Sequence, residues 1–158
     1  MIFVTVGAQM HFDRMVRAVD EWAARTGRKD IFAQIGPAEY EPRHIQSTRF
    51  LEPPDFMRRY RAASAIVAHA GTGSILQALE LGKPILVMPR RAALRETRND
   101  HQVATAERFQ RLGVPVAWDE KDLAAQLESI DTLAVERTVG PHASAELLAR
   151  LRRFIDLA

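Results

Sequence analysis

The sequence contains no cysteine, which excludes disulfide bonds and thiolate metal sites and fits a protein of the reducing cytoplasm. Stability must therefore come from a hydrophobic core. Hydrophobic residues make up 47% of the 158 residues and charged residues 27%, which is the composition of a globular protein. The length suffices for one ordinary domain, and we predict a single domain over residues 1–158.

Long hydrophobic runs are also missing. The longest apolar stretches are only a few residues, whereas a membrane-spanning helix needs roughly 20. Residues 1–7 read directly as a strand, without the basic segment and small-residue cleavage site of a signal peptide. We therefore expect a cytoplasmic protein.

Aromatic residues are scarce, at 7%, and most are phenylalanines at core-like spacing. Nucleic-acid-binding proteins usually show a broad basic stripe with aromatic stacking platforms. The arginines here form two local groups instead, residues 58–61 and Arg90–Arg91 with Arg95 and Arg98. Such groups suit a phosphorylated small molecule or an anionic membrane surface, and we expect no nucleic-acid partner.

Short apolar segments alternate with segments of helical periodicity, a pattern that predicts βαβ units. The expected fold class is α/β, an open parallel sheet with helices on both faces. The strands are predicted at residues 2–6, 30–35, 48–51, 65–68, 84–88 and 114–118. The arginine-rich segment 89–98 is polar, so we interpret it as a loop.

The last two internal helices are predicted from apolar residues at helical spacing. The first of them should bury Val103, Ala106, Phe109 and Leu112, and the next should turn Leu123, Leu127 and Ile130 inward. A further amphipathic helix is predicted at about residues 142–157. Its apolar stripe could pack on its own sheet, on a partner protein or on a membrane.

The central motif is His69-Ala70-Gly71-Thr72-Gly73-Ser74, between a predicted strand and a predicted helix. Ligands of open α/β sheets bind at the carboxyl ends of the strands, and a helix N-terminus there favours a phosphate. Gly71 and Gly73 allow close backbone approach, while Thr72 and Ser74 add hydroxyl groups. Without the Walker lysine or the GxGxxG spacing, a plain strand–helix turn remains an equal alternative.

Glu80 strengthens the interpretation as a binding site. It lies seven residues after Gly73, about two helical turns, and so returns to the same helix face. Helical side chains tilt toward the N-terminus, which points this carboxylate toward the anion site. A carboxylate there can accept hydrogen bonds from both hydroxyls of a ribose. An ordinary exposed glutamate is the alternative.

Two further polar segments are predicted at the same edge of the sheet. Asn99-Asp100-His101-Gln102 begins the helix after the arginine-rich segment and carries groups suited to binding a polyol, or an ordinary helix cap. Gly7-Ala8-Gln9 follows the first strand as a second glycine loop. That loop is weak evidence when taken alone.

Together these segments resemble the C-terminal, donor-binding domain of glycosyltransferase family 28. The resemblance runs from residue 2 to about residue 118 and includes Gly82-Lys83-Pro84 and Pro89. It is closest to stand-alone versions of the domain: the small subunit of the eukaryotic dolichol-linked N-acetylglucosaminyltransferase and the PssE-like subunits of two-part bacterial exopolysaccharide glycosyltransferases. Segment 89–94 looks particularly PssE-like.

The resemblance implies a Rossmann-like C-terminal half of a GT-B fold and assigns roles to individual residues. Gly71, Thr72, Gly73 and Ser74 would hold a diphosphate, with Gly7 opposite, and Glu80 would hold the ribose. Asn99 belongs to the polar segment in which His101 and Gln102 would contact the donor sugar. The main chain near Phe50 and Leu51 would recognise uracil. A uronate carboxylate could pair with Arg90, Arg91 or Arg95.

The implied function is that of the UDP-sugar-binding subunit of an inverting glycosyltransferase, with glucuronate from UDP-glucuronate as the expected sugar. N-acetylglucosamine or galactose transfer, a non-catalytic sugar-nucleotide-binding activator, and a nucleotide-sugar hydrolase are the alternatives. A membrane-associated partner would supply the general base and the site for a polyprenyl-diphosphate-linked acceptor. That partner would hold the chain at the inner face of the cell membrane.

No DxD motif follows a strand and no His/Cys cluster occurs in the sequence. We therefore expect backbone amides and the helix dipole, and no metal or other cofactor, to stabilise the departing UDP.

Overall fold

The structure, a computed structural model, describes residues 1 to 135. The amphipathic helix predicted at about residues 142–157 lies outside the described residues. The described part alternates strands and helices as expected. Its elements are β1 (Ile2–Thr5), α1 (Asp13–Thr26), β2 (Ile31–Gln34), β3 (Gln46–Thr48), α2 (Pro53–Ala62), β4 (Ala65–His69), α3 (Thr72–Glu80), β5 (Ile85–Met88), α4 (His101–Gln110) and α5 (Glu120–Leu127).

The five strands form one parallel sheet in the order β3-β2-β1-β4-β5. The chain first builds the sheet outward from β1 to β3 and then returns to the other side of β1 with β4. The strand order therefore reverses between β1 and β4. In open α/β sheets the crevice at such a reversal is the usual ligand site.

Helices cover both faces of the sheet, as predicted, because alternate strand residues are apolar on both sides. Ile2 and Val4 of β1 pack with α1 and α5 on one face, and Phe3 packs with α2, α3 and α4 on the other. Sheets buried on both faces need such continuous apolar strands. Leu123, Leu127 and Ile130 face inward as expected.

The third strand was predicted at residues 48–51, but β3 spans Gln46–Thr48. The apolar pair Phe50–Leu51 suggested the strand, yet Phe50 is 53% exposed and Leu51 is only half-buried against the core. An edge strand contacts the core weakly, so its residues need not be apolar. The polar residues that do form β3 therefore gave little periodic signal.

The strand predicted at residues 114–118 is reduced to a single bridge between Val87 and Val116. Pro115 has no N–H group to donate, which limits the pairing of this edge segment. Leu112, predicted to be buried, is 42% exposed because α4 ends at Gln110. Its place in the core is taken by Val114, which is 5% exposed.

None of the helices in residues 1–135 has the length and apolar character needed to cross a membrane.

A buried carboxylate on α1 organises the connection between β2 and β3. Asp20 is 1% exposed and accepts hydrogen bonds from the N–H groups of Arg43, His44 and Ile45 at 3.0, 2.7 and 3.1 Å. The Tyr40 hydroxyl donates a fourth at 2.8 Å. Burial would raise the pKa of Asp20, but these four donors favour the ionised form and hold the pKa below its ordinary value.

We expect Asp20→Ala to lower the free energy of unfolding by roughly 2–4 kcal/mol, because it removes the acceptor of one buried and two partly buried N–H groups. Glu21→Ala, an exposed neighbour on α1, should have little effect. Because the folded pKa is depressed, the contribution of Asp20 is present near neutral pH and is lost as the pH falls below about 4. Urea unfolding of both variants at pH 7 and pH 3 measures this; an equal loss at both pH values would contradict it.

Candidate functional site

Two glycines face each other where the strand order reverses. Gly7 follows β1 with a φ of 76°, a left-handed conformation that favours glycine, and Gly71 follows β4. Strands β1 and β4 pair in register as far as Thr5 and Ala68, so both glycines emerge at the same edge. The structure thus brings together the two glycine segments that the sequence predicted to share a site.

The imidazole of His69 fills the space between these glycines. A Cβ atom added to Gly71 would lie 2.3 Å from His69 Nε2, and one added to Gly7 would lie 2.9 Å from His69 Cε1. Real Cβ atoms do not approach other atoms so closely. Both positions therefore require glycine because of this ring, a reason that the sequence motif did not reveal.

The imidazole of His69 is neutral at pH 7. Burial disfavours the charged ring and lowers the pKa of His69 to about 4, and the nearby positive charge of Arg90 acts in the same direction. The ring consequently serves as a neutral spacer between the two glycine segments. The positive potential at this edge comes from the helix start and from arginines.

Helix α3 begins directly at this edge, with Gly71 at the N-cap position. No side chain forms a capping hydrogen bond with the N–H groups of the first turn, which belong to Thr72, Gly73 and Ser74. Gly73 is exposed, and a Cβ added there would meet no atom within 4 Å. This start offers open backbone donors and the positive end of the helix dipole to an anion.

Glu80 is exposed and ends α3, on the face that also exposes Gly73. The spacing predicted from the sequence is therefore present in the structure. The orientation of α3 is fixed from behind, where the buried Tyr60 hydroxyl of α2 donates to the Ser74 carbonyl at 2.7 Å. The face carrying Gly73 and Glu80 is left free of this contact.

The predicted uracil-reading segment lies at the carboxyl end of β3. Phe50 is the most exposed large apolar residue in residues 1–135, at 53%, and its carbonyl accepts a hydrogen bond from Thr48 Oγ1 at 3.2 Å. Leu51 is half-buried against the core. The segment shares the carboxyl edge of the sheet with Gly7 and Gly71.

The predicted sugar-contacting residues separate into exposed and buried groups. His101 and Asn99 are exposed, and the Asn99 Oδ1 atom accepts from the backbone N–H of His101 at 3.3 Å and contacts its ring. Gln102 is 6% exposed, and its Oε1 accepts from the N–H of Arg90 at 3.2 Å. The side-chain oxygen of Gln102 thus accepts a hydrogen bond inside the protein.

A cavity of about 540 Å³ opens beside His101. It lies between the loop after β1 and the segment before α4, and its lining residues come from only these two segments. They are Gln9, Met10, Thr97, Arg98, Asn99 and His101. The sequence placed Gln9 in a glycine loop at this edge and Arg98 in an arginine group, but it assigned neither of them, nor Met10 and Thr97, a contact with the sugar.

Arg90 and Arg91 were expected in a polar loop, within reach of a sugar carboxylate, but both turn inward. Arg90 is 4% exposed and donates through Nη2 to the carbonyls of Val6, at 2.7 Å, and Met10. Arg91 donates through Nη2 to the Trp118 carbonyl at 2.7 Å. In each arginine, one donor group of the guanidinium is therefore used inside the protein. The positions of Arg90 and Arg91 give no support to the predicted contact with a sugar carboxylate.

The segment between β5 and α4 is an ordered structure, with a short 3-10 turn at Ala92–Leu94. It is held by Glu96, which is 5% exposed and accepts from Arg14 Nε at 2.7 Å, from Arg14 Nη2 at 2.9 Å and from the Arg91 N–H at 3.0 Å. A bidentate pair of this kind is strong and directional. It ties the segment to the start of α1, and the two residues lie too far apart in sequence for spacing to reveal it.

Among residues 1–135, His, Asp and Glu side chains form no group of three or more that could hold a metal ion.

The model of the glycosyltransferase family 28 C-terminal domain matches residues 1–146 of the chain. The chain belongs to this family. The resemblance seen in the glycine motifs, Glu80 and the polar start of α4 is thereby confirmed as family membership. In families of this fold the region between β1 and β4 is the part of the sheet where ligands bind.

The curated relatives are subunits of a sugar transferase. The UDP-N-acetylglucosamine transferase subunit ALG13 of Eremothecium gossypii is 38% identical over 91 residues, which cover 55% of this chain and 43% of the relative. The same subunit of Candida glabrata is 40% identical over 53 residues, covering 34% of this chain and 25% of the relative. The matches thus span less than half of each relative's length.

Solved structures agree on the fold. The solution structure of ALG13 superposes with a TM-score of 0.62 at 21% identity, covering 95% of this chain and 93% of the other. The glycosyltransferase of kitacinnamycin gives 0.58 at 23% identity, covering 96% of this chain but 38% of the other. The chain therefore has the Rossmann-like fold of GT-B glycosyltransferase C-terminal domains, as predicted.

We expect substitutions of two glycines that lie two residues apart in the sequence to differ sharply in their effect on stability. Gly71→Ala should lower the free energy of unfolding by about 1–3 kcal/mol, because its methyl group would overlap the His69 ring. Gly73→Ala meets open space and replaces a helical glycine, so stability should stay equal or rise by up to about 1 kcal/mol. Chemical denaturation of both variants checks this; equal destabilisation would contradict the spacer role of His69.

Proposed function

We propose that the chain binds the UDP-sugar donor of an inverting, metal-independent glycosyltransferase. The observation that carries the proposal is the open start of α3 facing Gly7, with Glu80 on the same exposed helix face. The helix start would hold the diphosphate, and the Glu80 carboxylate would accept hydrogen bonds from the ribose hydroxyls. Membership of a donor-binding domain family supports this assignment.

The remaining contacts follow from the placement of the other segments. The main chain at Phe50 and Leu51 would bind uracil at the β3 end of the edge. The donor sugar would enter the cavity of about 540 Å³ beside His101 and Asn99. Departure of UDP would be aided by the dipole and N–H groups of α3, which stabilise growing negative charge on the diphosphate.

The acceptor would be a polyprenyl-diphosphate-linked sugar, held by a membrane-associated partner subunit that also supplies the general base. A GT-B enzyme places its acceptor between two facing domains, and the described residues form one such domain. The named relatives are themselves transferase subunits, which supports a two-part enzyme. Such a partner would hold the chain at the cytoplasmic face of the membrane. A non-catalytic activator that binds the sugar nucleotide is the alternative role.

The proposed donor is UDP-glucuronate for exopolysaccharide synthesis, and UDP-N-acetylglucosamine is the second candidate. The cavity lining includes Arg98 and His101 and no carboxylate side chain, which favours an acidic sugar. The similarity to ALG13, a UDP-N-acetylglucosamine transferase subunit, favours N-acetylglucosamine instead. The two candidates differ in charge and are separable by binding.

We expect the wild-type chain to bind UDP more tightly than 2′-deoxy-UDP, and Glu80→Ala to remove that preference. Loss of a hydrogen bond from a ribose hydroxyl to a carboxylate corresponds to about a tenfold change in affinity. Isothermal calorimetry in the presence of EDTA measures both ligands and tests the metal independence at once.

Glu107→Ala is the matched control, because Glu107 is an exposed helical glutamate on α4. It should keep the preference for UDP over 2′-deoxy-UDP. An unchanged preference in Glu80→Ala would remove the ribose role of Glu80. Wild-type binding that appears only when manganese replaces EDTA would contradict the metal-independent proposal.

For the donor sugar, we expect UDP-glucuronate to raise the melting temperature more than UDP-N-acetylglucosamine or UDP-galactose. A ligand that binds only the native state stabilises it by mass action, so the shift ranks affinities at equal concentration. Arg98→Gln should reduce the advantage of UDP-glucuronate while leaving the shift with UDP unchanged. A larger shift with UDP-N-acetylglucosamine would favour the second candidate.

A further inference from the structure

The loop between β1 and α1 is tethered to β5 by one buried side chain. Arg90 follows β5, and its Nη2 atom donates to the carbonyls of Val6 and Met10. These two carbonyls bracket Gly7, the glycine that faces the start of α3. The loop of residues 6–10 is thereby closed at both of its ends by the same guanidinium.

The guanidinium of Arg90 is buried and keeps its charge. Arg90 is 4% exposed, its guanidinium carbon lies 5.2 Å from the centroid of the Phe12 ring, and its own N–H is held by Gln102. Its hydrogen-bond acceptors are neutral carbonyls, so its charge is not cancelled by a direct ion pair in the described part of the chain. Burial lowers the pKa of Arg90 to about 10, which still leaves it charged at pH 7.

The tether also determines one wall of the cavity beside His101. Gln9 and Met10 of the loop form one side of that cavity, and Thr97, Arg98, Asn99 and His101 form the other. Arg90 joins the two sides, because it belongs to the same β5–α4 connection as the second group. Movement of the loop would widen the cavity and carry Gly7 away from Gly71.

We propose that Arg90 is a positioning residue that holds the loop of residues 6–10 against the start of α3, so that Gly7 and the α3 N–H groups face the same diphosphate. This inference rests on the proposed UDP-sugar function. The buried guanidinium acts through the loop and through its field, without touching the donor. Both effects strengthen binding of the diphosphate and leave uracil and ribose recognition, at Phe50–Leu51 and Glu80, unaffected.

The test compares the affinities of UDP and uridine for the wild type, Arg90→Met and Arg90→Lys by calorimetry or by competition. For Arg90→Met we expect UDP binding to weaken by about tenfold or more, because the variant loses the charge-assisted hydrogen bonds that hold the loop. Uridine binding should stay unchanged. Arg90→Lys keeps the charge but loses the planar group that lies on Phe12, and should recover part of the UDP affinity. Arg111→Met removes an exposed arginine at the end of α4 and should leave both affinities unchanged.

A second readout follows the loop itself. The Gly7 N–H donates to Thr5 Oγ1 at 3.2 Å, and its hydrogen exchange should become faster in Arg90→Met and stay at the wild-type rate in Arg111→Met. Exchange and thermal unfolding are measured on the same samples. If Arg90→Met does not fold, Arg90→Lys decides by the same two readouts.

Each outcome has a distinct meaning. Equal loss of UDP and uridine affinity in a folded variant, or unchanged affinity for UDP, would overturn the positioning role. Wild-type chain that binds neither UDP nor any UDP-sugar would overturn the proposed function and with it the diphosphate role of Arg90. Gly7 exchange would then still show whether Arg90 holds the loop, so the two failures are distinguishable.

Discussion

The imidazole of His69 sets how closely the ends of β1 and β4 approach each other. It occupies the space between Gly7 and Gly71, where a Cβ on Gly71 would come within 2.3 Å of the ring. The ring is neutral at pH 7 and acts as a spacer between the two glycines. Gly71 at the start of α3 and Gly7 in the loop after β1 both pack against this ring. The site geometry therefore depends on a residue that lies behind the proposed ligand position.

Most of the fold could be predicted because the strands of a doubly covered parallel sheet are apolar on both faces. The runs at residues 2–6, 65–68 and 84–88 had no other reasonable interpretation, and the structure places β1, β4 and β5 there. The glycine motifs and the spacing of Glu80 from Gly73 are local in sequence, so they too were visible in advance. The predictions for the edge strand β3 and for a strand around Pro115 were wrong, because edge pairing depends on backbone geometry more than on hydrophobicity.

The arginine-rich segment could not be predicted because its structure depends on partners distant in sequence. Glu96 holds Arg14, 82 residues away, and Arg90 reaches the carbonyl of Val6, 84 residues away. Composition alone suggests that a segment with four arginines is solvated. Burial of a guanidinium is favourable only where carbonyls or carboxylates meet its donors, and that arrangement exists only in the folded chain. The cavity-lining residues Met10 and Thr97 likewise lie on segments that meet only in the folded chain.

The central claim is that the edge between β1 and β4 binds the donor nucleotide. A titration of isotope-labelled chain with UDP, followed by amide NMR shifts, tests it most directly. The account predicts the largest shifts at Gly7, at residues 71–74, at Glu80 and at residues 50–51, with none at the buried Asp20. Shifts confined to Asp20 and the β2–β3 connection that it holds, or an absence of shifts at saturating UDP, would contradict it.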